Sequence, residues 1–376
     1  MTGRERLLTV LQGKLPDCVP VCPDFSQMIP ARLTGKPSWD MYLYNNPSRW
    51  EAYIACAKYF NIDALMDGFP LIFPDEVTQN PEWEKCIIFK NDERLITQRY
   101  RTEKGERVWE PTVDVYYATN PPNIGIHVDK IGLPHVPNKW EPLTAGTTLD
   151  TGPEGLKRLK KSMGDQGLIG VQVCRSRALN SQEDIYRYYD NPDGFQRWTE
   201  EKIEEAEQKF NKIMAMDVKP DFICVGTSGT LIFQTIAIFR KLVLPVVKRV
   251  IELATQAGIP THVHSCGPEK ELVKIFAEET SLTVIDPLEM PPMGDCDLAE
   301  LKKLYGKNIV LKGNLHTTNT MLMGSVDDVI KASKKAITDA ADGGRFILST
   351  GDQCGRDTPD ENLLAMIQTA REYGKY

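Results

Sequence analysis

The chain has 376 residues, of which 41% are hydrophobic and 26% are charged, so it can bury a core without disulfides or structural metals. Its formal net charge of −7 and sequence pI near 5.5 argue against a nucleic-acid partner, because such proteins present a basic face. No apolar run reaches about 18 residues, so we expect no membrane-spanning segment and no membrane partner.

The amino terminus, MTGRERLLTVLQGKLPD, has the pattern of an amphipathic helix and lacks the apolar stretch and small residues of a signal peptide. We therefore expect a cytoplasmic protein whose nine cysteines are mostly reduced. Their odd number and scattered spacing are typical of small packing residues and do not indicate a disulfide framework.

Short apolar runs alternate with longer helical patterns, which predicts βα units and a parallel sheet. Runs such as LIGVQVC and NIVLKG are apolar throughout, as in parallel strands that are buried on both faces. The eight candidate strands are Cys18–Asp24, Ile62–Asp67, Leu168–Cys174, Asp221–Val225, Pro260–His264, Leu282–Asp286, Asn308–Gly313 and Arg345–Thr350. Eight units predict an α/β fold, a (β/α)8 TIM barrel, with residues 1–376 in a single domain.

Helical patterns separate these strands, and several begin near Ser, Asp or Pro or end at Gly, as helix boundaries do. The clearest are Pro192–Met216, Leu231–Gly258, Lys270–Glu279, Asp297–Tyr305, Ser325–Ala341 and Pro359–Tyr376.

Residues 70–150 interrupt this alternation. Within them Trp83–Lys90, Arg94–Thr102 and Arg107–Tyr117 alternate apolar and polar residues around turn sequences, which predicts β-hairpins inserted after the second strand. The Pro- and Gly-rich stretch that follows reads as a loop. Active sites of barrels lie at the carboxyl ends of the strands, so we expect the insertion to cap the barrel mouth. A hairpin without any role in the site is the alternative.

The fifth predicted strand ends in the sequence THVHSC. We expect His262 and His264 on opposite faces of the strand, and His264 and Cys266 on a shared face at its carboxyl end. An imidazole and a thiolate are typical zinc ligands. The spacing alone favours a buried histidine and a packing cysteine instead.

The eighth strand supplies further ligand types, since Asp352 and Cys354 follow its end at Gly351. The loops after strands five and eight converge over the barrel mouth. Three protein ligands and one open position are typical of catalytic zinc sites.

Polar residues also follow the other strands and together predict a polar, metal-containing pocket. They are Asp24, Ser26, Asp67, Arg175, Arg177, Thr227, Ser228, Asp286, Glu289, Asn314 and His316. Among them we assign Glu289 a catalytic role, either as a metal ligand or in proton transfer. We expect Asp24, Asn314, His316 and Asp352 to contact the substrate, although a loop or helix-capping role is the alternative for each.

Several segments resemble the uroporphyrinogen decarboxylase superfamily over nearly the whole chain, and within it the zinc-dependent corrinoid methyltransferases. They are GRERLLTVLQGKLPDCVPV, VLKGN, GGRFILSTG and DTPDENLLAMI. The resemblance implies a (β/α)8 barrel. True decarboxylases have an RQAGR motif after the first strand, whereas this chain has PDFSQMIPARLTG, which argues against porphyrin decarboxylation.

The methyltransferase branch has an H-x-C motif near the fifth strand, which His264 and Cys266 match, and a third zinc cysteine after the eighth. The family's usual sequence there is a glycine followed directly by the cysteine. This chain has Asp352 after Gly351 and its cysteine two residues later. The resemblance therefore implies Cys354 as the third zinc ligand, with Asp352 as the alternative.

The resemblance also implies that the zinc acts as a Lewis acid in methyl exchange with a corrinoid that a partner protein carries. We expect a methyl group to pass from a methoxylated, preferably aromatic, compound to cobalt(I), as in the methyltransferase component of an O-demethylase. Aromatic residues of the insertion, if they are not hairpin core, are candidates for the substrate pocket. They are Trp83, Tyr100, Trp109, Tyr116 and Tyr117.

Three alternatives remain open at this stage. They are a methylcobalamin-dependent methyltransferase acting on a thiol such as coenzyme M, a uroporphyrinogen decarboxylase-like enzyme, and a non-enzymatic module that binds a corrinoid protein. A homodimer is compatible with the sequence, which does not fix the oligomeric state.

Overall fold

A computed structural model of the chain describes residues 1–76, 83–144, 151–226 and 228–376. Parts of the predicted insertion, residues 77–82 and 145–150, lie outside the described residues, as does the strand-end residue Thr227.

Within these described ranges the chain forms twelve strands. In chain order they are β1 (Ala64–Phe69), β2 (Glu84–Lys90), β3 (Arg94–Glu103), β4 (Glu106–Tyr117), β5 (Asn123–His127), β6 (Glu141–Pro142), β7 (Gly167–Gln172), β8 (Phe222–Cys224), β9 (Thr261–His264), β10 (Val284–Asp286), β11 (Val310–Leu315) and β12 (Phe346–Thr350).

The same part of the chain contains thirteen α-helices. They are α1 (Gly3–Leu11), α2 (Met28–Leu33), α3 (Ser38–Tyr42), α4 (Arg49–Phe60), α5 (Pro153–Met163), α6 (Gln182–Asp190), α7 (Gly194–Met214), α8 (Ile236–Ile238), α9 (Leu244–Gln256), α10 (Lys270–Glu279), α11 (Leu298–Tyr305), α12 (Val326–Ala340) and α13 (Asp360–Tyr373). None of the described helices combines the length and the apolar character that a membrane span requires.

Seven strands form one parallel sheet in the order β1-β7-β8-β9-β10-β11-β12. Helices connect consecutive strands, and the large buried cluster between sheet and helices is almost entirely aliphatic and aromatic. This confirms the predicted α/β class and gives a TIM-barrel-like fold.

The first predicted strand, Cys18–Asp24, is not a regular strand, yet it lies between the two edges of this sheet. Leu348 N in β12 donates to Pro20 O at 2.9 Å, and Asp63 N, just before β1, donates to Val21 O at 3.0 Å. Pro20 and Pro23 have no N–H, so this segment cannot form a continuous ladder. It therefore bridges β12 and β1 through a few hydrogen bonds.

The amino-terminal helix covers the end of the barrel where the strands begin. Leu7, Val10 and Leu11 of α1 are buried in one cluster with side chains from the strands, including Phe222 and Ile347. This cluster blocks one end of the barrel, so the opposite end, where the strands finish, is the end available for a ligand.

The remaining strands form a separate antiparallel sheet in the order β5-β4-β3-β2-β6. Strands β5 and β6 lie in the stretch that the sequence analysis interpreted as a loop, so that interpretation was wrong. Tyr116 of this sheet packs with Trp39 of α3, and Tyr100 packs with Trp109 at a ring-centroid distance of 5.0 Å. These insertion aromatics are therefore hairpin core, which was the alternative to their lining a substrate pocket.

Candidate metal centre

Three predicted site residues lie together where β9 and β12 end. One ligand atom from each of His264, Cys266 and Asp352 lies within 4.8 Å of the other two. The imidazole Nε2 of His264 is 3.6 Å from Asp352 Oδ1. This set of one nitrogen, one sulfur and one oxygen donor, with room for a further ligand, suits Zn²⁺.

The burial of Asp352 gives a second reason to consider a cation here. Its Oδ1 is buried and accepts no hydrogen bond. Burial also raises the pKa of Asp352 to about 6, while the nearby His264 opposes this rise. The residue has a φ of 108°, a region that is costly for any side chain other than glycine. A buried, unpaired carboxylate oxygen on a strained backbone fits a metal-binding role, because a cation would satisfy it.

Cys354, the preferred third ligand from the sequence, lies elsewhere. Its side chain is fully buried in the main apolar cluster, beside the hydroxyls of Thr350 and Thr358. Burial raises the pKa of the Cys354 thiol to about 12, whereas a metal binds the thiolate. The geometry therefore favours the alternative third ligand, Asp352. The carboxylate of Asp352 lies near His264 and Cys266, whereas the thiol of Cys354 does not belong to this group.

Asp286, at the end of β10, orients the candidate histidine ligand. In the parallel pairing of β9 and β10 it lies opposite His264, whose Nδ1 donates to Asp286 Oδ1 at 3.1 Å. That contact leaves Nε2 of His264 for a metal. A carboxylate behind a metal-binding imidazole fixes its tautomer and ring orientation, which strengthens metal binding.

His262 also contacts Asp286, with Nε2 donating to Oδ1 at 2.9 Å. The expectation that His262 and His264 project to opposite faces was wrong, because alternate residues of a strand share a face. His262 is 1% exposed and packs edge-on against Phe222. It therefore supports Asp286 from inside the barrel.

The buried Lys312 of β11 neutralises Asp286 through an ion pair with Oδ2. Burial alone would raise the pKa of Asp286, but Lys312 and the two histidines outweigh it and hold that pKa well below its ordinary value. Asp286 thus remains a carboxylate that can accept from His264 Nδ1. Lys312 was not singled out in the sequence, where it lies inside the apolar run NIVLKG.

A cavity of about 950 Å³ opens in front of these residues and is lined by His264 and Cys266. Asp24, which was expected to contact substrate, also lines it. Much of the wall comes from residues that the sequence analysis missed. They are Gln27, Tyr42, Arg49, Trp50, Tyr53, Gln172 and Phe233. Among the described residues of the insertion, Pro121 lines this cavity.

The other predicted site residues border a small recess beside the metal candidates. Glu289 accepts a hydrogen bond from Gly267 N at 2.5 Å, and its charge raises the pKa of Asp352, so it is close to the cluster. Asn314 Nδ2 donates to Leu288 O at 2.9 Å, and His316 Nδ1 accepts from two backbone amides after β11. Neither Asn314 nor His316 is among the residues lining the large cavity.

Comparison with known sequences relates the chain to one family. The uroporphyrinogen decarboxylase (URO-D) family profile matches residues 189–373. The methylcobamide:CoM methyltransferase MtbA of Methanosarcina mazei is 26% identical over 137 residues, which is 36% of this chain and 37% of the relative. The MtbA of Methanosarcina acetivorans is 26% identical over 135 residues, with the same two shares. These matches span little more than a third of each relative.

Among solved structures, a methyltransferase from Methanosarcina mazei superposes with a TM-score of 0.58 and 16% sequence identity, covering 99% of both chains. Identity at this level establishes a shared fold. The profile match over residues 189–373, the partial matches to the curated relatives and the shared fold all agree with the resemblance to the uroporphyrinogen decarboxylase superfamily and its corrinoid methyltransferases.

Proposed function

We propose that this protein is a zinc-dependent methyltransferase that moves a methyl group from a methoxylated aromatic compound to the cobalt(I) corrinoid of a partner protein. It would then be the methyltransferase component of an O-demethylase system. The main support is the cluster of His264, Cys266 and Asp352 beside a large cavity. The names of its methylcobamide-dependent relatives support methyl exchange with a corrinoid.

His264, Cys266 and Asp352 would hold the zinc, and Asp286 would keep His264 in the orientation that binds it. Bound Zn²⁺ supplies a Lewis acid for the oxygen that loses the methyl group. An unactivated ether is a poor methyl donor, so stabilising its leaving group is where the protein must act. A donor set with one sulfur is harder than one with two, which favours an oxygen-bound substrate over a thiol.

Side chains of the cavity wall favour an aromatic donor. Trp50, Tyr53 and Phe233 line the cavity together with Met66. Aromatic side chains pack favourably against aromatic rings and bury a large area for little conformational entropy. The cavity volume of about 950 Å³ is also within the range of small-molecule sites.

We assign Glu289 the proton transfer to the oxygen that loses its methyl group. It is 6% exposed, lies close enough to influence Asp352 and is held by Gly267 N. Glu289→Gln keeps the size and the hydrogen bond from Gly267 but cannot supply a proton. We expect this variant to lose about 100-fold in turnover, a usual effect of removing a general acid, while its zinc content stays unchanged.

The corrinoid must approach the substrate from the open end of the barrel, so its carrier protein would dock there. The antiparallel insertion would form part of that mouth, because Pro121 reaches the cavity. In this arrangement the chain itself needs no tightly bound corrinoid.

A thiol acceptor is the second candidate, and the relatives named methylcobamide:CoM methyltransferases favour it. In that case the zinc would hold a thiolate that accepts a methyl group from methyl-cobalt(III).

Methyl transfer in vitro separates the two functions. The zinc-loaded protein is mixed with a cobalt(I) corrinoid and a panel of methoxyaromatics, and the loss of the cobalt(I) absorption is followed. The proposal predicts conversion with at least one methoxyaromatic and none with the Cys266→Ala variant. If none of the methoxyaromatics reacts and coenzyme M is methylated from methylcobalamin, the thiol function is the correct one. Inactivity in both directions would favour a binding module.

A further inference from the structure

Two arginines that line the cavity have no counter-ion among the residues that the structure describes. Arg49, at the start of α4, and Arg177, after β7, form no ion pair with any described residue. The Nε atom of each is buried and makes no hydrogen bond. A half-buried guanidinium is normally paired, because an uncompensated charge and an unmet donor are both costly.

The surroundings of Arg49 add a third unmet donor. Its guanidinium lies over the Trp50 ring at 4.3 Å, and the indole Nε1 of Trp50 is also buried without a partner. Burial lowers the pKa of Arg49, while Tyr42 opposes this. An anion beside the guanidinium would offset this cost of burial, because an opposite charge favours the charged form. All three unmet groups are nitrogen donors on residues that line one cavity, and an oxyanion is the kind of group that accepts from such donors.

Arg177 lies on the wall adjoining the metal candidates. Its guanidinium stacks over Phe233 at 4.6 Å. Ile232, the neighbour of Phe233, lies within 2.7 Å of the position that a Cβ on Gly267 would take, next to Cys266. This places the Arg177 wall beside the cysteine ligand, and the two ends of one ligand could contact both.

The acidic residues Asp67 and Asp24, which also line the cavity, contact groups other than these arginines. Asp67 Oδ2 is 3.8 Å from His262 Nδ1. Asp24 is influenced mainly by Lys312 and His264, and its carboxylate accepts from Ser26 N at 2.7 Å. The cavity is therefore lined both by the candidate metal ligands His264 and Cys266 and by two arginines that pair with neither of these aspartates.

We propose that Arg49 and Arg177 bind an oxyanion of the substrate, so that the methyl donor is a methoxylated aromatic acid whose carboxylate meets the arginines while its ether oxygen meets the metal. This inference rests on the proposed function for the identity of the ether end. The two arginines would also accept the sulfonate of a thiol such as coenzyme M. The test therefore includes both a carboxylate and a sulfonate probe.

The test is calorimetric binding to the zinc-loaded protein without corrinoid, so that no reaction occurs. The probes are 4-methoxybenzoate, its neutral isostere 4-methoxybenzamide, and 2-mercaptoethanesulfonate. We expect an anion to bind at least about tenfold more tightly than the amide, since hydrogen bonds to a charged group are worth more than neutral ones. Arg49→Gln and Arg177→Gln should each weaken anion binding by about tenfold to a hundredfold and leave the amide unaffected.

Arg240→Gln serves as the matched control, because Arg240 is exposed and paired with Glu279 away from the cavity. Arg49→Lys keeps the charge and guards against a folding defect, and it should retain more affinity than Arg49→Gln. Preference for 2-mercaptoethanesulfonate over 4-methoxybenzoate would assign the oxyanion to a thiol substrate. Dependence on one arginine alone would overturn the paired site.

Equal binding of the acid and the amide, or unchanged affinity in both glutamine variants, would overturn the inference. Failure of the proposed function looks different. If the acid binds in an arginine-dependent way but no methyl group is transferred, the proposed function is wrong and the oxyanion subsite is supported. If the acid and the amide donate methyl groups equally well, the proposed function is supported and the oxyanion subsite is contradicted.

Discussion

Asp286 connects the candidate metal ligands to the polar centre of the barrel. It accepts hydrogen bonds from His262 and His264 and pairs with Lys312, and its side chain is 2% exposed. Such a buried carboxylate both orients a metal ligand and neutralises a buried ammonium.

Replacing Asp286 by Asn should weaken zinc binding about tenfold to a hundredfold, because the neutral amide has one acceptor oxygen for which His262, His264 and Lys312 then compete, so the His264 tautomer is less well fixed. The free energy of unfolding should also fall by about 3–5 kcal/mol, since Lys312 is left buried and unpaired. Zinc affinity can be measured by competition with a chromophoric chelator, and stability by urea unfolding.

Asp221→Asn is the matched control. Asp221 is also buried and paired, with Arg4 and Lys160, but lies near the start of β8, at the other end of the barrel. It should lose stability and keep its zinc affinity. Equal zinc affinities in both variants would show that Asp286 does not position His264.

At the residue scale, the sequence predicts His264 and Cys266 as metal ligands because their spacing at a strand end resembles a known motif, and the fold brings these two side chains together. It ranked Cys354 above Asp352, because the ligand type was clear but the direction of each side chain in the loop was not. Trp50 and Arg49 were missed for a different reason. They lie on a helix far from the motif in sequence, and only the fold brings them to the cavity.

At the element scale, seven of the eight predicted strands appear within two residues of the expected bounds. Their apolar runs are long and bounded by turns, so such strands can be predicted from the sequence. The first strand was misjudged because its prolines remove hydrogen-bond donors. The strands β5 and β6 were missed because short edge strands have little apolar pattern.

The pairing of β7 with β1 depends on a residue without a side chain. Gly167 lies opposite Ala64, and a Cβ there would come within 1.9 Å of Ala64 O. Gly167→Ala should therefore lower the free energy of unfolding by about 1–3 kcal/mol or more, because backbone must move to relieve the overlap. Urea unfolding would measure this. Gly355→Ala, which meets no atom within 4 Å, should be close to neutral. A fully stable Gly167→Ala protein would show that this close approach is wrong.

At the scale of the whole molecule, ion pairs hold together the end of the barrel opposite the site. Arg6 pairs with Asp17 and Asp63, and Arg371 of α13 also pairs with Asp63. These contacts join the first and last helices to the start of β1. Ion pairs therefore stabilise the end of the barrel opposite the site, whereas the site itself keeps unmet polar groups.

This network predicts how stability depends on pH. The hydrogen bond from Arg6 holds the pKa of Asp17 below its ordinary value, and Arg4 and Lys160 do the same for Asp221 against the effect of burial. Both pKa values are lowered by folding, so the stabilisation is complete above the unfolded value of about 3.9 and is lost as the pH falls below it.

The urea midpoint should thus drop as the pH is lowered from about 5 to 3. Asp221→Asn should be less stable at pH 7 and should lose less stability on acidification. Asp92→Asn, at an exposed turn, should follow the parent protein. Identical acid sensitivity of the parent and Asp221→Asn would show that Asp221 does not contribute to the pH dependence of stability.

The proposed methyl transfer depends on which atoms bind the metal. Zinc-edge X-ray absorption on the zinc-loaded protein measures this directly. The structure predicts one sulfur at about 2.3 Å, from Cys266, with the remaining ligands nitrogen or oxygen at about 2.0–2.2 Å. The spectrum should be the same in Cys354→Ala and should lose its sulfur contribution in Cys266→Ala. Two sulfurs in the parent protein, or failure to retain stoichiometric zinc, would contradict the His264–Cys266–Asp352 site.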